Sequence, residues 1–167
     1  MTTYGDLEQV GDRWRLRFTR RLAHRPEKIW HALTDPQELE AWFPTTIEGE
    51  RRPGAALHFG FRGEPYDPFD GEMLAYEPPR LMEFRWGEDR LRFALEPDGE
   101  GTRLTLLDLL TQRGKGARDG AGWHVCLDNL ERHLAGEPKG DPEAWRPLNE
   151  AYNRRFGPEA ATIGPPE

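Results

Sequence analysis

The sequence contains a single cysteine, Cys126. One thiol excludes an intramolecular disulfide framework and a thiolate metal cluster, and it suits a reducing compartment. Positive charge is in short supply: 23 Lys and Arg face 30 Asp and Glu, a net charge of −7. Nucleic-acid binding needs a basic surface that displaces counterions from phosphates, so no nucleic-acid partner is expected. Long apolar runs are lacking too. No stretch reaches the roughly 20 residues of a membrane helix, and the polar opening residues do not resemble a signal peptide. A cytoplasmic protein with no membrane span is expected.

Catalytic and ligand motifs are equally sparse. There is no G-x-S-x-G, no H-x-H, and no pair among His24, His31, His58, His124 and His133 at the i, i+4 spacing of a helical metal site. His124 and His133 fall on opposite sides of one helix. The glycine-rich stretch from Gly114 to Gly120 lacks the G-K-[ST] ending of a phosphate loop. No metal and no cofactor are expected.

What the sequence has is aromatic mass: six Trp, eight Phe and four Tyr in a chain with 36% hydrophobic and 32% charged residues. Large rings bury much area per residue, so 167 residues suffice for one domain with a real core. Trp14, Leu16 and Phe18 alternate with Arg15, Arg17 and Thr19, which predicts a half-buried strand over Arg13–Leu22. Arg25-Pro26-Glu27 opens a helix with Ile29, Trp30 and Leu33 on one face. Asp35 before Pro36 caps a second short helix, 37–42. Strand-like alternation returns at Leu57, Phe59 and Phe61. Four further strands, 70–77, 81–86, 90–96 and 102–110, are separated by short turns, which implies an antiparallel meander. A long helix over 121–135 carries Trp123, Leu127, Leu130 and Leu134 at helical spacing and ends at Gly136. A second amphipathic stripe, Trp145, Leu148, Tyr152 and Phe156, follows.

The expected organisation is a flexible N-terminus over 1–12, an α+β domain over 13–136, a C-terminal helical appendage over 137–157 and a flexible tail over 158–167. A curved antiparallel sheet with one apolar face needs a cover. The long helix is the only element long enough, which leaves a cleft between sheet and helix suited to a ligand.

Several stretches resemble, in order, a known family. Arg20 to Pro36 resembles its opening strand and helix, and Leu39-Glu40-Ala41-Trp42-Phe43 its second helix. Arg52-Pro53-Gly54 resembles its glycine turn, and Asp70-Gly71-Glu72 through Pro78-Pro79-Arg80-Leu81 its hairpin. Gly122-Trp123 through Leu134 resembles its terminal helix. The family is the bacterial homologues of the heat-shock-chaperone ATPase activator, within the START/SRPBCC, polyketide-cyclase-like superfamily. The resemblance implies a helix-grip (START-like) fold, a curved antiparallel β-sheet wrapped around a long C-terminal α-helix with two short helices after the first strand. It also implies an internal cavity and no universal catalytic signature. The eukaryotic co-chaperone that names the family carries an additional N-terminal domain for chaperone contact, which this chain is expected to lack.

The expected ligand is an apolar, amphipathic or aromatic small molecule, lined by Phe59, Phe61, Trp86, Phe93, Leu104, Leu106, Asp108, Trp123 and Cys126, with entry past a flexible gate at residues 114–120. Asp108 shares a strand face with Leu104 and Leu106. A carboxylate there would be the lone polar contact, or the acid–base group of a cyclase- or hydrolase-like enzyme. Trp86 ends a strand where its ring could stack on a flat ligand. Cys126 has no neighbour in sequence to activate its thiol and reads as a small core residue. A protein-interaction module and a homodimer stay open as alternatives.

Overall fold

Residues 3–63 and 65–164 are described by the computed structural model. The apolar alternation of the sequence becomes seven antiparallel strands: β1 (Asp6–Val10), β2 (Arg13–Leu22), β3 (Ala56–Phe59), β4 (Phe69–Glu77), β5 (Leu81–Trp86), β6 (Asp89–Asp98) and β7 (Gly101–Leu110). They form one curved sheet in the order β1-β2-β7-β6-β5-β4-β3. Two short helices, α1 (Pro26–Thr34) and α2 (Pro36–Leu39), fill the crossover from β2 to β3. The long helix α3 (Gly116–Leu134) and the shorter α4 (Trp145–Phe156) follow the sheet. This is the helix-grip architecture that the segment order predicts.

The faces fall as the period-2 pattern requires. Leu91, Phe93 and Leu95 of β6 and Leu104, Leu106 and Leu110 of β7 are buried on one side. The outer side carries Arg85, Arg92 and their partners Glu72 and Glu83 in loose ion pairs of 4.0 and 3.8 Å. Exposed pairs of this kind contribute little. Arg20 of β2 also faces inward: it is buried and reaches Asp128 and Glu131 of α3 at 2.9 and 3.2 Å. It fastens the helix across the sheet.

Helix α3 ends as Gly136 foretells. Gly136 adopts φ 76°, the Gly136 N–H donates to the His133 carbonyl at 3.1 Å, and the Glu137 N–H donates to the Arg132 carbonyl at 2.8 Å. This is the paired closure of a Schellman motif.

Three expectations are corrected. The opening residues expected to be flexible contribute β1, an edge strand paired to β2 from Asp6↔Arg17 to Val10↔Arg13 through a turn at Gly11. Its sequence, DLEQV, is too polar to show alternation, because an edge strand buries only part of each face. The segment 114–120, expected to be a gate, is a 3-10 turn running into α3. Its glycines serve close packing. A Cβ on Gly114 would lie 2.0 Å from Thr162, one on Gly116 3.1 Å from Leu7, and one on Gly120 3.2 Å from Phe156. The tail also packs: Pro158–Ala160 forms a 3-10 turn with Ala160 buried, and the Ile163 N–H donates to the Gly114 carbonyl at 3.1 Å. The expectations for residues 1–2, Glu64 and 165–167 lie outside the described residues.

The two ends meet through a buried relay. The Gly5 N–H donates to the Tyr152 hydroxyl at 2.8 Å, and that hydroxyl lies 2.8 Å from His124 Nδ1 on α3. On its other side, His124 Nε2 lies 3.4 Å from Asp128 Oδ2. Burial lowers the His124 pKa, which favours the neutral ring. Removing the hydroxyl in Tyr152→Phe strands a buried N–H and a buried ring nitrogen, with an expected loss of about 1–3 kcal/mol in urea unfolding. An unchanged midpoint would show that the relay carries no stability.

Candidate functional site

Asp108 lies on the inner face of β7, opposite Leu91 of β6 and Leu16 of β2. It is buried, and the Trp123 indole N–H of α3 donates to its Oδ2 at 3.0 Å. Its Oδ1 has no hydrogen-bond partner among the described residues. Burial, and then the charges of Asp119 and Asp89, hold the Asp108 carboxyl well above the usual carboxylate range. The indole bond opposes that shift without cancelling it.

Sequence reading missed the two other carboxylates. Asp89 looks like a turn residue, yet it is the first residue of β6 and continues the inward set Asp89, Leu91, Phe93, Leu95. That i, i+2 extension was the available signal. Asp119 sits in the first turn of α3, within the segment expected to be a loop. Carboxylate oxygens of Asp89, Asp108 and Asp119 lie within 4.8 Å of one another. Oxygens so placed are the ones that could hold a hard cation. Protein cations already face them: Lys115 lies 3.5 Å from Asp89 and also pairs with Glu88, and Arg118 donates to Asp119 at 2.8 Å. Thr111 adds two donors to Asp89, from its N–H at 3.0 Å and its hydroxyl at 3.1 Å. Asp108 alone of the three has no cation within 4.0 Å among the described residues, and the more distant Lys115 offsets its burial only in part, so the arrangement favours its neutral, proton-bearing form.

The residues expected to line a cleft between sheet and α3 are packed against one another. Phe59, Phe93, Leu104 and Leu106 are core residues at 0 to 1% exposure. The Trp123 ring centre lies 5.7 Å from both Phe43 and Trp86. Phe43, read only as part of a helix, is the ring that closes the space, with Phe93 at 6.4 Å and Trp86 at 5.4 Å. Trp86, whose ring could have stacked on a flat ligand, is half-buried among Phe59, Phe69 and Phe84. Phe61 stands outside β3, half-buried against Tyr66 and Phe69. Cys126 is partly buried, and desolvation pushes its thiol up to about 12, which makes it unreactive.

Open space lies elsewhere. A cavity of about 510 Å³ separates the α1–α2 corner from residues 46–51. Thr34 and Pro36 form one wall, and Thr46, Ile47 and Gly49 the other. Glu40 and Glu48 stand exposed at its rim, and the half-buried Arg51 and Arg62 line it. The corner has a local cause: Asp35 caps α2, accepting from the N–H groups of Gln37 and Glu38 at 3.1 and 3.2 Å, which turns the chain between the helices. That leaves the last carbonyls of α1 free, and the Arg51 Nη2 donates to the Thr34 carbonyl at 3.1 Å. A cation suits a helix C-terminus.

Residues 23–135 match the family model described as Activator of Hsp90 ATPase homolog 1-like protein. The chain belongs to that family. Solved structures share its fold over 73 to 97% of the chain. CalU16 from Micromonospora echinospora has a TM-score of 0.75 at 24% identity, covering 93% of this chain and 99% of its own. A Bordetella parapertussis protein has a TM-score of 0.71 at 25% identity, covering 93% and 95%. DynU16, a protein of the dynemicin biosynthetic locus, has a TM-score of 0.66 at 26% identity over 76% of this chain and 49% of its own. Among curated proteins none matches the chain. The family segment takes in α1 through α3, hence the cavity, Asp108 and Trp123, whereas β1 and α4 fall outside it. Among the described residues no helix is long and apolar enough to cross a membrane.

Two outcomes test the Asp108–Trp123 contact. Trp123→Ala removes a core ring and the donor together, with an expected loss of about 3–5 kcal/mol; a loss below about 1 kcal/mol in chemical denaturation would refute the anchoring role. Asp108 binds its proton more tightly folded than unfolded. Its contribution is therefore favourable in acid and is lost as pH rises from its ordinary value of 3.8 through the raised folded value. Asp108→Asn keeps an acceptor for the indole and has nothing to ionise. The melting temperature of the variant should gain on the wild type as pH rises from about 4 to about 8, by about 2–4 °C per kcal/mol. A constant offset across that range would contradict the shift.

Proposed function

We propose that this member of the family binds an amphipathic small molecule in the cavity between the α1–α2 corner and residues 46–51. The observation that carries the proposal is the cavity itself. Its volume, about 510 Å³, falls within the range of about 300–1,000 Å³ typical of small-molecule sites. Its wall sets the apolar Pro36 and Ile47 beside threonines, glutamates and arginines, so it offers both an apolar and a strongly polar surface to an amphipathic molecule. Family membership supports the reading at the level of fold only, and the sheet–helix space that would otherwise be the first choice is occupied by rings.

A catalytic reading centred on Asp108 draws on its raised pKa, a property shared by many general acids. Against it, Asp108 does not line the cavity, and its one hydrogen bond serves Trp123. Structural duty is the better account of this carboxyl.

The test is a fluorescence titration with an environment-sensitive amphipathic dye, on the wild type and on Glu48→Trp. Glu48 is exposed, so the indole fills the cavity mouth without disturbing the core. The wild type is expected to bind the dye at micromolar concentration and the variant at least tenfold more weakly. Equal binding by both would move the ligand out of this cavity, and no binding by the wild type would refute the reading.

A further inference from the structure

Two guanidinium groups at the cavity have no carboxylate within 4.0 Å among the described residues, although acidic residues outnumber basic ones in the chain as a whole. Arg51 spends its named hydrogen bonds on main-chain carbonyls, Gly49 at 3.0 Å and Thr34 at 3.1 Å. Among the described residues Arg62 donates once, to the Phe43 carbonyl at 2.8 Å, and its buried Nε has no partner. A guanidinium offers five N–H donors in a planar fork, so both side chains keep unused donors while the carbonyl bonds fix their orientation. The neighbouring Arg52, one residue on, pairs instead with Glu50.

From this we infer that the cavity selects ligands bearing an oxyanion, a carboxylate or a phosphate, clamped by Arg51 and Arg62, with the apolar part of the molecule against Pro36 and Ile47. Planar forks match such anions with two parallel bonds. Burial depresses the pKa of both arginines, more than the charges of Tyr76 on Arg51 and Glu40 on Arg62 raise it. Glu40 and Glu48 oppose an anion, but both stand exposed at the rim, where solvent and salt weaken their field. The inference rests on the ligand reading above and narrows it.

Competition against the dye with three matched probes, decanol, decanoate and decyl phosphate, tests the clamp on the full chain. The anions are expected to compete at least tenfold more strongly than the alcohol, and the stronger of the two names the preferred head group. Arg51→Gln and Arg62→Gln should each weaken the anions about tenfold and leave the alcohol unchanged. Glu40→Gln changes only an exposed rim residue and so tests the electrostatics without risk to folding. It should strengthen the anions about twofold to threefold, an effect that added salt removes. Alcohol and anions competing equally would overturn the clamp while leaving the ligand reading intact. Failure of all three probes would overturn both. Anion binding unmoved by either arginine variant would overturn the clamp as well.

Discussion

The sheet of this protein carries a continuous apolar face from Leu16 on β2 to Phe59 on β3, and a single helix crosses it. A nineteen-residue helix cannot cover seven strands, so the sheet must be closed from two sides. Helix α3 closes the half built on β2, β7 and β6, fastened by Arg20 and Trp123. Residues 39–47 close the other half, with Leu39, Trp42, Phe43 and Ile47 all buried. Phe43 is the seam between the covers, 5.7 Å from Trp123 and 6.5 Å from Phe84. Where the second cover bends away to reach β3, the cavity opens. Its position is thus a by-product of how the sheet is sealed.

Much of this was legible in the sequence, and the parts that were not share a cause. Strand alternation placed β2 and β5 to β7 because each buries one whole face. The spacing of Trp123, Leu127, Leu130 and Leu134 placed α3 for the same reason. Such patterns report burial against a flat neighbour. They are silent on β1, which is an edge, and on Gly114, Gly116 and Gly120, whose small size admits Thr162, Leu7 and Phe156 at close quarters. Glycine in a loop and glycine under a packed partner look alike in one dimension.

The candidate site was harder to read. Leu104, Leu106 and Asp108 were correctly placed on one inner face, but whether that face meets a ligand or a ring depends on Phe43, some sixty residues upstream. The run Glu50-Arg51-Arg52, short and mixed in sign, reads in sequence as a solvated loop rather than a phosphate site, and Arg62 as a polar position opposite Leu57, Phe59 and Phe61. What sets Arg51 and Arg62 apart is that both line the cavity with no carboxylate within 4.0 Å among the described residues, which only the folded chain reveals. The carboxylate cluster has the same character: Asp89, Asp108 and Asp119 come from two strands and a helix, and no sequence spacing relates them.

The relay from Gly5 through Tyr152 to His124 also sets an order of events during synthesis. Its outer members are 147 residues apart, so the opening strand leaves the ribosome long before the helix that will complete it. Until Tyr152 emerges, the Gly5 amide and the His124 ring must be satisfied by water, and the α3 face around Gly120 stays bare. A nascent chain can pair β2 with β7 before that moment, but it cannot seal the surface where both ends converge. That surface stays unsealed until α4 docks on α3.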